Sequence, residues 1–205
     1  MSVQKGAAWP YAGAPSATGV HYFRVAKGRE VFREGQRANA VFHVEFGCVR
    51  LEVERADGAQ DVIGFLFKGD TFSPVVSRYW ASAHAVTDCL LSCTPLRSML
   101  LETPDENAPA KFAPDDLARD IVHGLSFIMR VPANARLFWF LKWLSLRTGQ
   151  NDNNIVELPM TGRDLANFLG VAPETVSRGF AELERQGRLR RLRPHQVELK
   201  NGTLQ

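Results

Sequence analysis

The sequence predicts an α+β protein, in which an N-terminal β-roll of the jelly-roll type precedes a long helix and a small helical domain that ends in a β-hairpin. Residues 20–99 contain short apolar runs separated by glycines, which is typical of many short strands joined by tight turns. From about residue 114 onwards, apolar residues recur every three or four positions, which indicates amphipathic helices. Near residue 170, a turn with glycine separates two short helical segments.

These patterns divide the chain into four parts. Residues 1–19 are small, rich in Pro and Gly and without periodicity, so we expect a flexible tail. The β-roll is predicted over 20–113, the long helix over 114–132 and the last domain over 133–205. The polar, acidic, Pro-rich stretch 102–116 indicates the boundary between the β-roll and the long helix.

The predicted β-roll consists of six strand-like runs. The clearest is Cys48–Glu54, in which apolar and charged residues alternate as in a half-buried strand. The six runs are Val20–Val25, Glu30–Arg33, Ala40–Phe46, Cys48–Glu54, Asp61–Phe67 and Ala81–Cys93.

Composition restricts the class of protein. Of the 205 residues, 45% are hydrophobic and 23% charged, and the formal net charge is +3, as in an ordinary globular protein. No segment has the apolar length of a membrane span, and the N-terminus has no apolar signal-peptide core, so we expect a cytoplasmic protein without membrane contact. Cys48, Cys89 and Cys93 do not form a disulfide framework, and we expect buried thiols because they lie in apolar runs.

The long helix has a single apolar stripe and is predicted to be the dimerisation helix. The stripe residues are Leu117, Ile121, Leu125 and Ile128, spaced by four, four and three positions. Pro132 ends or kinks this helix. The next helix, Ala133–Thr148, is strongly apolar but too short to span a membrane, so we interpret it as a buried core helix.

The segment 158–183 carries the strongest functional signal. Thr161 followed by Asp164 is typical of a capping box at the start of a helix. Gly170 suits the positive φ of a tight turn, and Pro173 suits the first position of a second helix. Two short helices joined in this way are the pattern of a helix-turn-helix, whose second helix enters the major groove of DNA.

The second helix of this pair has two distinct faces. Its apolar face is formed by Val176, Phe180 and Leu183. Glu174, Ser177 and Arg178, at positions i, i+3 and i+4, share the opposite edge. Arginine pairs bidentately with guanine, and glutamate accepts a hydrogen bond from the cytosine amino group, so this edge is suited to reading bases.

The residues that follow predict a basic β-hairpin wing. Leu189–Leu192 and Gln196–Leu199 have strand character on either side of an Arg-Pro-His turn at 193–195. Arginine occupies positions 185, 188, 190, 191 and 193, and no acidic residue lies between 185 and 195. Such a cluster either contacts DNA phosphates or is a solvated charged surface.

These residues carry a resemblance to a known family. Segment 158–183 resembles the winged helix-turn-helix of the CRP/FNR transcription regulators, and Glu174–Arg178 is similar to the recognition-helix signature of their FNR/FixK branch. The N-terminal part resembles the family's cyclic-nucleotide-binding-like β-roll. Its glycine pattern is present here as Gly28, Gly35, Gly47, Gly58 and Gly69.

The resemblance implies a dimeric, sequence-specific transcription regulator that binds a palindrome of the TTGA-N6-TCAA type. Its expected partners are double-stranded DNA, a second copy of the chain and RNA polymerase. The predicted DNA-binding residues are Thr161, Glu174, Thr175, Ser177, Arg178, Arg191 and Arg193.

The sequence departs from the family at two sensor sites. Members that bind a cyclic nucleotide carry Arg followed by Ser or Thr before the last strands, whereas Tyr79 and Trp80 stand here beside Arg78. Because phosphate clamping needs that charge geometry, we expect no cyclic-nucleotide binding. The tail has no cysteine, which argues against an iron–sulfur cluster. The effector-binding residues are unknown, and no cofactor is predicted.

Beside a DNA-binding regulator whose signal is unknown, three alternatives remain open at this point. A haem-dependent or nucleotide-dependent regulator of the same fold is one, and the candidate axial ligands of haem are His43, Cys48, His84 and His123. A metal-binding enzyme of the cupin type is another, since His43 and Glu45 share one strand face. The third is a signalling module without DNA binding, with segment 158–183 as two packed helices bearing a solvated charged face. We expect no enzyme and no metal site, because no second closely spaced histidine pair follows His43. We expect DNA binding rather than two ordinary packed helices, because the helix cap, the glycine turn, the proline at the start of the second helix and the polar edge occur together.

Overall fold

The computed structural model describes residues 19–72, 77–96, 131–148 and 154–200, without the side chains of 133 and 134. The predicted tail lies outside the described residues except for Gly19. The predicted dimerisation helix also lies outside them, apart from Val131 and Pro132. The same holds for its stripe residues Leu117, Ile121, Leu125 and Ile128 and for the candidate ligand His123.

The N-terminal domain is a β-roll of two antiparallel four-stranded sheets, as predicted. The strands are β1 (His21–Val25), β2 (Glu30–Phe32), β3 (Ala40–Phe46), β4 (Val49–Glu54), β5 (Gln60–Leu66), β6 (Thr71–Phe72), β7 (Ser82–Ala85) and β8 (Cys89–Pro95). One sheet has the order β1-β8-β3-β6 and the other β2-β7-β4-β5. Strand β5 is therefore an edge strand of its sheet.

One predicted strand is wrong in its extent. The run Ala81–Cys93 forms two strands, β7 and β8, which belong to different sheets and are separated at 86–88. Apolar residues lie on both sides of the crossover, and the only polar pair at the break is Thr87 and the exposed Asp88, a signal too short to separate the two strands from the sequence alone. The two-residue strand β6 was not predicted, because so short a segment carries no detectable period.

Aromatic side chains fill the space between the two sheets. Phe32 stacks on Tyr79 with ring centroids 4.3 Å apart and lies 4.7 Å from the ring of Phe72. The Tyr79 hydroxyl donates to the carbonyl of Ala40 over 3.0 Å, which satisfies its polar end. This part of the β-roll is thus a packed core.

Gly47 makes the tight β3–β4 connection possible. Its φ is +96°, and a Cβ at this position would lie 2.7 Å from the Asp88 carbonyl oxygen and from Cys89 Sγ. Any side chain would therefore force β3 and β8 apart. Cys48 and Cys89 are buried beside this turn and Cys93 is buried on β8, and all three are free thiols as predicted. Burial raises the pKa of each thiol, which keeps them in the unreactive form.

The C-terminal domain contains three helices and a three-stranded sheet among its described residues. The helices are α1 (Ala133–Arg147), α2 (Gly162–Leu169) and α3 (Pro173–Arg185). The strands are β9 (Ile155–Glu157), β10 (Leu189–Arg193) and β11 (Gln196–Leu199), in the order β10-β11-β9. The predicted core helix and wing hairpin are confirmed, and β9 adds a third strand that was not predicted.

Besides the packed core within the β-roll, a second hydrophobic cluster spans both domains. Val62, Phe65 and Phe67 of the β-roll belong to the same buried cluster as Leu141 and Leu144 of α1. The α+β architecture is confirmed, whereas the exact domain boundaries stay predictions. None of the helices described in this structure is long and apolar enough to cross a membrane.

Candidate nucleic-acid interface

Helix α2 begins with the predicted capping box. Thr161 Oγ1 accepts a hydrogen bond from the backbone N–H of Asp164 over 3.1 Å. In return, Asp164 Oδ2 accepts from the backbone N–H of Thr161 over 3.0 Å and from its hydroxyl over 2.7 Å. Two backbone donors that a helix start leaves unsatisfied are thereby paired.

A left-handed glycine forms the turn between α2 and α3. Gly170 has φ 62° and ψ 40°, and its N–H donates to the carbonyls of Ala166 and Asn167. The guanidinium of Arg136 on α1 donates to the carbonyl of Leu169 over 2.9 Å and to that of Val131 over 3.1 Å. Pro173 occupies the first turn of α3, as predicted. The turn is therefore held from both its own backbone and α1.

Helix α3 packs closely on α1 and leaves its polar edge exposed. Val176 and Leu183 are buried, and a Cβ on Gly179 would lie 3.0 Å from Leu137 Cδ2 of α1. The predicted base-reading residues Glu174, Ser177 and Arg178 are all exposed at the N-terminal end of α3. Thr175 beside them is half-buried.

This polar edge is chemically unengaged within the described part of the chain. Glu174 and Arg178 form no ion pair with any described residue, and Ser177 has no side-chain hydrogen bond there. Arg178 also lines a groove between α3 and α1 with Phe138 and Arg188. A carboxylate, a hydroxyl and a guanidinium are thus available together to an incoming ligand.

Folding neutralises much of the basic cluster that the sequence shows. Arg185 pairs with Glu182 over 2.6 Å, and Arg190 pairs with Glu198 over 2.9 Å. The guanidinium of Arg191 lies 3.8 Å from Glu184. The acidic partners all lie outside the basic run, which is why inspection of residues 185–195 alone finds no acid.

The remaining two arginines of the cluster differ from these three. The Arg188 guanidinium lies 3.6 Å from the centroid of the Phe138 ring, in a cation–π contact. Arg193 is exposed at the wing tip and pairs with no acidic residue in the described ranges. Exposed ion pairs are weak, so Arg191 also can exchange Glu184 for a phosphate. Arg193 is the wing residue most available for contacting DNA.

The sensor-domain candidates do not come together. His43 is on β3 with Nδ1 2.9 Å from Thr71 Oγ1, whereas His84 is on β7 in the other sheet, with Nδ1 2.8 Å from Glu52. Glu45 accepts a hydrogen bond from Ser92 over 2.8 Å. Within the described residues, no three His, Cys, Asp or Glu side chains are arranged to hold a metal ion.

Sequence reasoning missed two residues that position this site. Arg136 supports the turn, and Asn167 on α2 bonds to β5. Each acts across a long separation in sequence, so no local motif could have indicated them.

These features define a winged helix-turn-helix transcription regulator that binds DNA: a capped helix, a left-handed glycine turn, an exposed polar edge, and a wing hairpin within a three-stranded sheet. Residues 22–100 match the cyclic nucleotide-binding domain family, and residues 135–202 match the Crp-like helix-turn-helix domain family.

Known relatives extend this assignment. The nitrogen fixation regulation protein FixK of Azorhizobium caulinodans is 36% identical over 171 residues, which cover 79% of this chain and 68% of the relative. FixK of Bradyrhizobium diazoefficiens is 33% identical over 180 residues, covering 82% and 72%. The solved structure of FixK2 from Bradyrhizobium japonicum superposes with a TM-score of 0.77 at 25% identity, covering 89% of this chain and 93% of that one. The chain belongs to the CRP/FNR family of transcription regulators.

Proposed function

We propose that this regulator acts in the cytoplasm as a homodimer, binds a TTGA-N6-TCAA palindrome, and controls transcription through contact with RNA polymerase. The observation that carries the proposal is the exposed, unengaged edge formed by Glu174, Ser177 and Arg178. The named relatives that resemble the chain over most of its length are themselves regulators.

The edge matches the G·C pair of such a half-site. The fork of Arg178 fits O6 and N7 of guanine, and Glu174 accepts from the amino group of the paired cytosine. Ser177 is short and reaches an outer thymine. Glu174 also repels phosphate, so wrong registers on the duplex are disfavoured.

Titration of the purified protein against labelled duplexes tests this assignment. We expect nanomolar-range binding, about 10⁻⁸ M or tighter, to the TTGA-N6-TCAA duplex at physiological salt. A duplex with both G·C pairs changed to A·T should bind more weakly by about 1–3 kcal/mol per changed pair. Equal affinity for the two duplexes would contradict the proposed operator.

The β-roll favours regulation without a cyclic nucleotide. Tyr79 and Trp80 stand where related sensors hold the phosphate, and their rings pack on Phe32 and Phe72 at 4.3 Å and 5.5 Å. The guanidinium of the neighbouring Arg78 donates to the carbonyl of Gly35 over 2.5 Å, so it is directed at the loop that contains Gly35. A phosphate there would have to displace packed aromatic rings.

Calorimetric titration with cyclic AMP and cyclic GMP should therefore give no binding heat at low-micromolar ligand. A duplex titration in the presence of either nucleotide should give the same DNA affinity as without it, because no site is formed. The matched control is inorganic phosphate at equal ionic strength, which separates a specific effect from screening. A low-micromolar dissociation constant for either nucleotide would disprove this prediction.

A further inference from the structure

An asparagine of the helix-turn-helix binds the open edge of the β-roll. Asn167 Oδ1 accepts from the backbone N–H of Val62 over 2.6 Å, and its Nδ2 donates to the backbone carbonyl of Gln60 over 2.9 Å. Both groups belong to edge strand β5, which pairs with β4 on its other side. The amide thus replaces the next strand of the sheet and satisfies one donor and one acceptor of the edge.

A second polar contact joins the same two domains. The guanidinium of Arg50 on β4 donates a hydrogen bond to Asp164 Oδ1, while Asp164 Oδ2 accepts the hydrogen bond from Thr161 in the capping box of α2. The guanidinium of Arg50 is also held 2.9 Å from Glu52, whose carboxylate lies 2.8 Å from His84. Burial alone would raise the pKa of Glu52, but the hydrogen bond with His84 and the charge of Arg50 hold that pKa below its ordinary value. Arg50 therefore lies against the carboxylates of both Glu52 and Asp164.

Aromatic packing surrounds these polar contacts. Phe65 of β5 lies 5.4 Å from Phe168 of α2 and 6.3 Å from Phe140 of α1, measured between ring centroids. Of the polar contacts, the Arg50–Asp164 pair and the Asn167–Val62 bond are part-buried, whereas the Asn167–Gln60 bond is exposed. The polar contacts use α2 and the aromatic contacts use α2 and α1, while the polar edge of α3 stays exposed. The docked arrangement is thus compatible with DNA binding.

We infer that Asn167 and Arg50 form a domain latch, which holds the helix-turn-helix on the β-roll and so positions the two recognition helices of the dimer for the two half-sites. The inference rests on the proposed function. Two half-sites one DNA turn apart, roughly 34 Å, are bound together only when both helices have the correct spacing. A helix-turn-helix that moves about residues 131–132 spends less time in that arrangement, so the apparent affinity falls in proportion to the time spent there.

The latch predicts a difference between a full palindrome and a single half-site. In Asn167→Asp, the side chain keeps its size but has no donor for Gln60 and places a carboxylate against that carbonyl. We expect affinity for the palindrome to fall about tenfold, with affinity for a duplex bearing one half-site changed less than about twofold. The base preference and the salt dependence should stay those of the unmodified protein, because no DNA contact is altered.

Two further variants complete the experiment. Arg50→Gln breaks the other contact at a different position and should reproduce the same selective loss, which protects the test against misfolding of one variant. Gln60→Ala is the matched control, because Asn167 bonds only to the backbone of that residue, and it should bind both duplexes normally. Equal losses on the two duplexes, or no loss on either, would overturn the latch. Failure of the unmodified protein to bind the palindrome would instead refute the proposed function.

Discussion

Replacing Ile121 and Leu125 by glutamate should convert the regulator into monomers and abolish tight operator binding. Both residues lie on the predicted apolar stripe, and two charges per helix cannot be buried against the same stripe of a second copy. Linking two binding modules raises affinity by about 10²–10⁴-fold, so the affinity of the monomer for the palindrome should fall by a factor in that range. Sedimentation velocity and duplex titration measure the two effects.

The control places the same two charges on the opposite side of the predicted helix. His123→Glu with Ser126→Glu introduces two glutamates away from the stripe, and this variant should remain dimeric. Unchanged sedimentation of the stripe variant, or dissociation of both variants alike, would show that this stripe is not the dimer interface.

Arg178→Ala should cost about 1–3 kcal/mol per half-site and reduce discrimination at the G·C pair. The exposed guanidinium has no acidic partner among the described residues, so its removal subtracts an interaction with DNA without unpairing a carboxylate. Titration against the palindrome and its A·T-substituted form measures both the affinity and the preference.

Arg193→Ala is the informative comparison. A wing arginine binds phosphate, which every sequence presents, so its removal should weaken binding to all duplexes about equally. The salt slope should fall by about one for each phosphate that the arginine neutralises. Arg190→Ala removes the same charge from a residue already paired with Glu198 and should have a smaller effect. If Arg178→Ala preserved the base preference and Arg193→Ala changed it, the assignment of α3 as the recognition helix and of the hairpin as the wing would be wrong.

The amino-acid sequence by itself determined the features that depend on neighbouring residues. Thr161 and Asp164 specify a helix start, and Gly170 and Pro173 specify the turn and the next start, because capping and backbone conformation are decided within about four residues. The edge of Glu174, Ser177 and Arg178 follows from the helical period alone. These expectations hold in the structure.

Features that depend on distant residues were decided only by the tertiary structure. The placement of β7 and β8 in different sheets and the contact of Asn167 with β5 bring together residues that lie far apart in the sequence. The pairing of Arg190 with Glu198 depends on the register of the β10–β11 hairpin, which the sequence pattern does not specify. Charge, hydrogen bonding and burial act through space, so a basic run can be neutralised, and an ordinary asparagine can join two domains, without leaving a signal in the linear sequence.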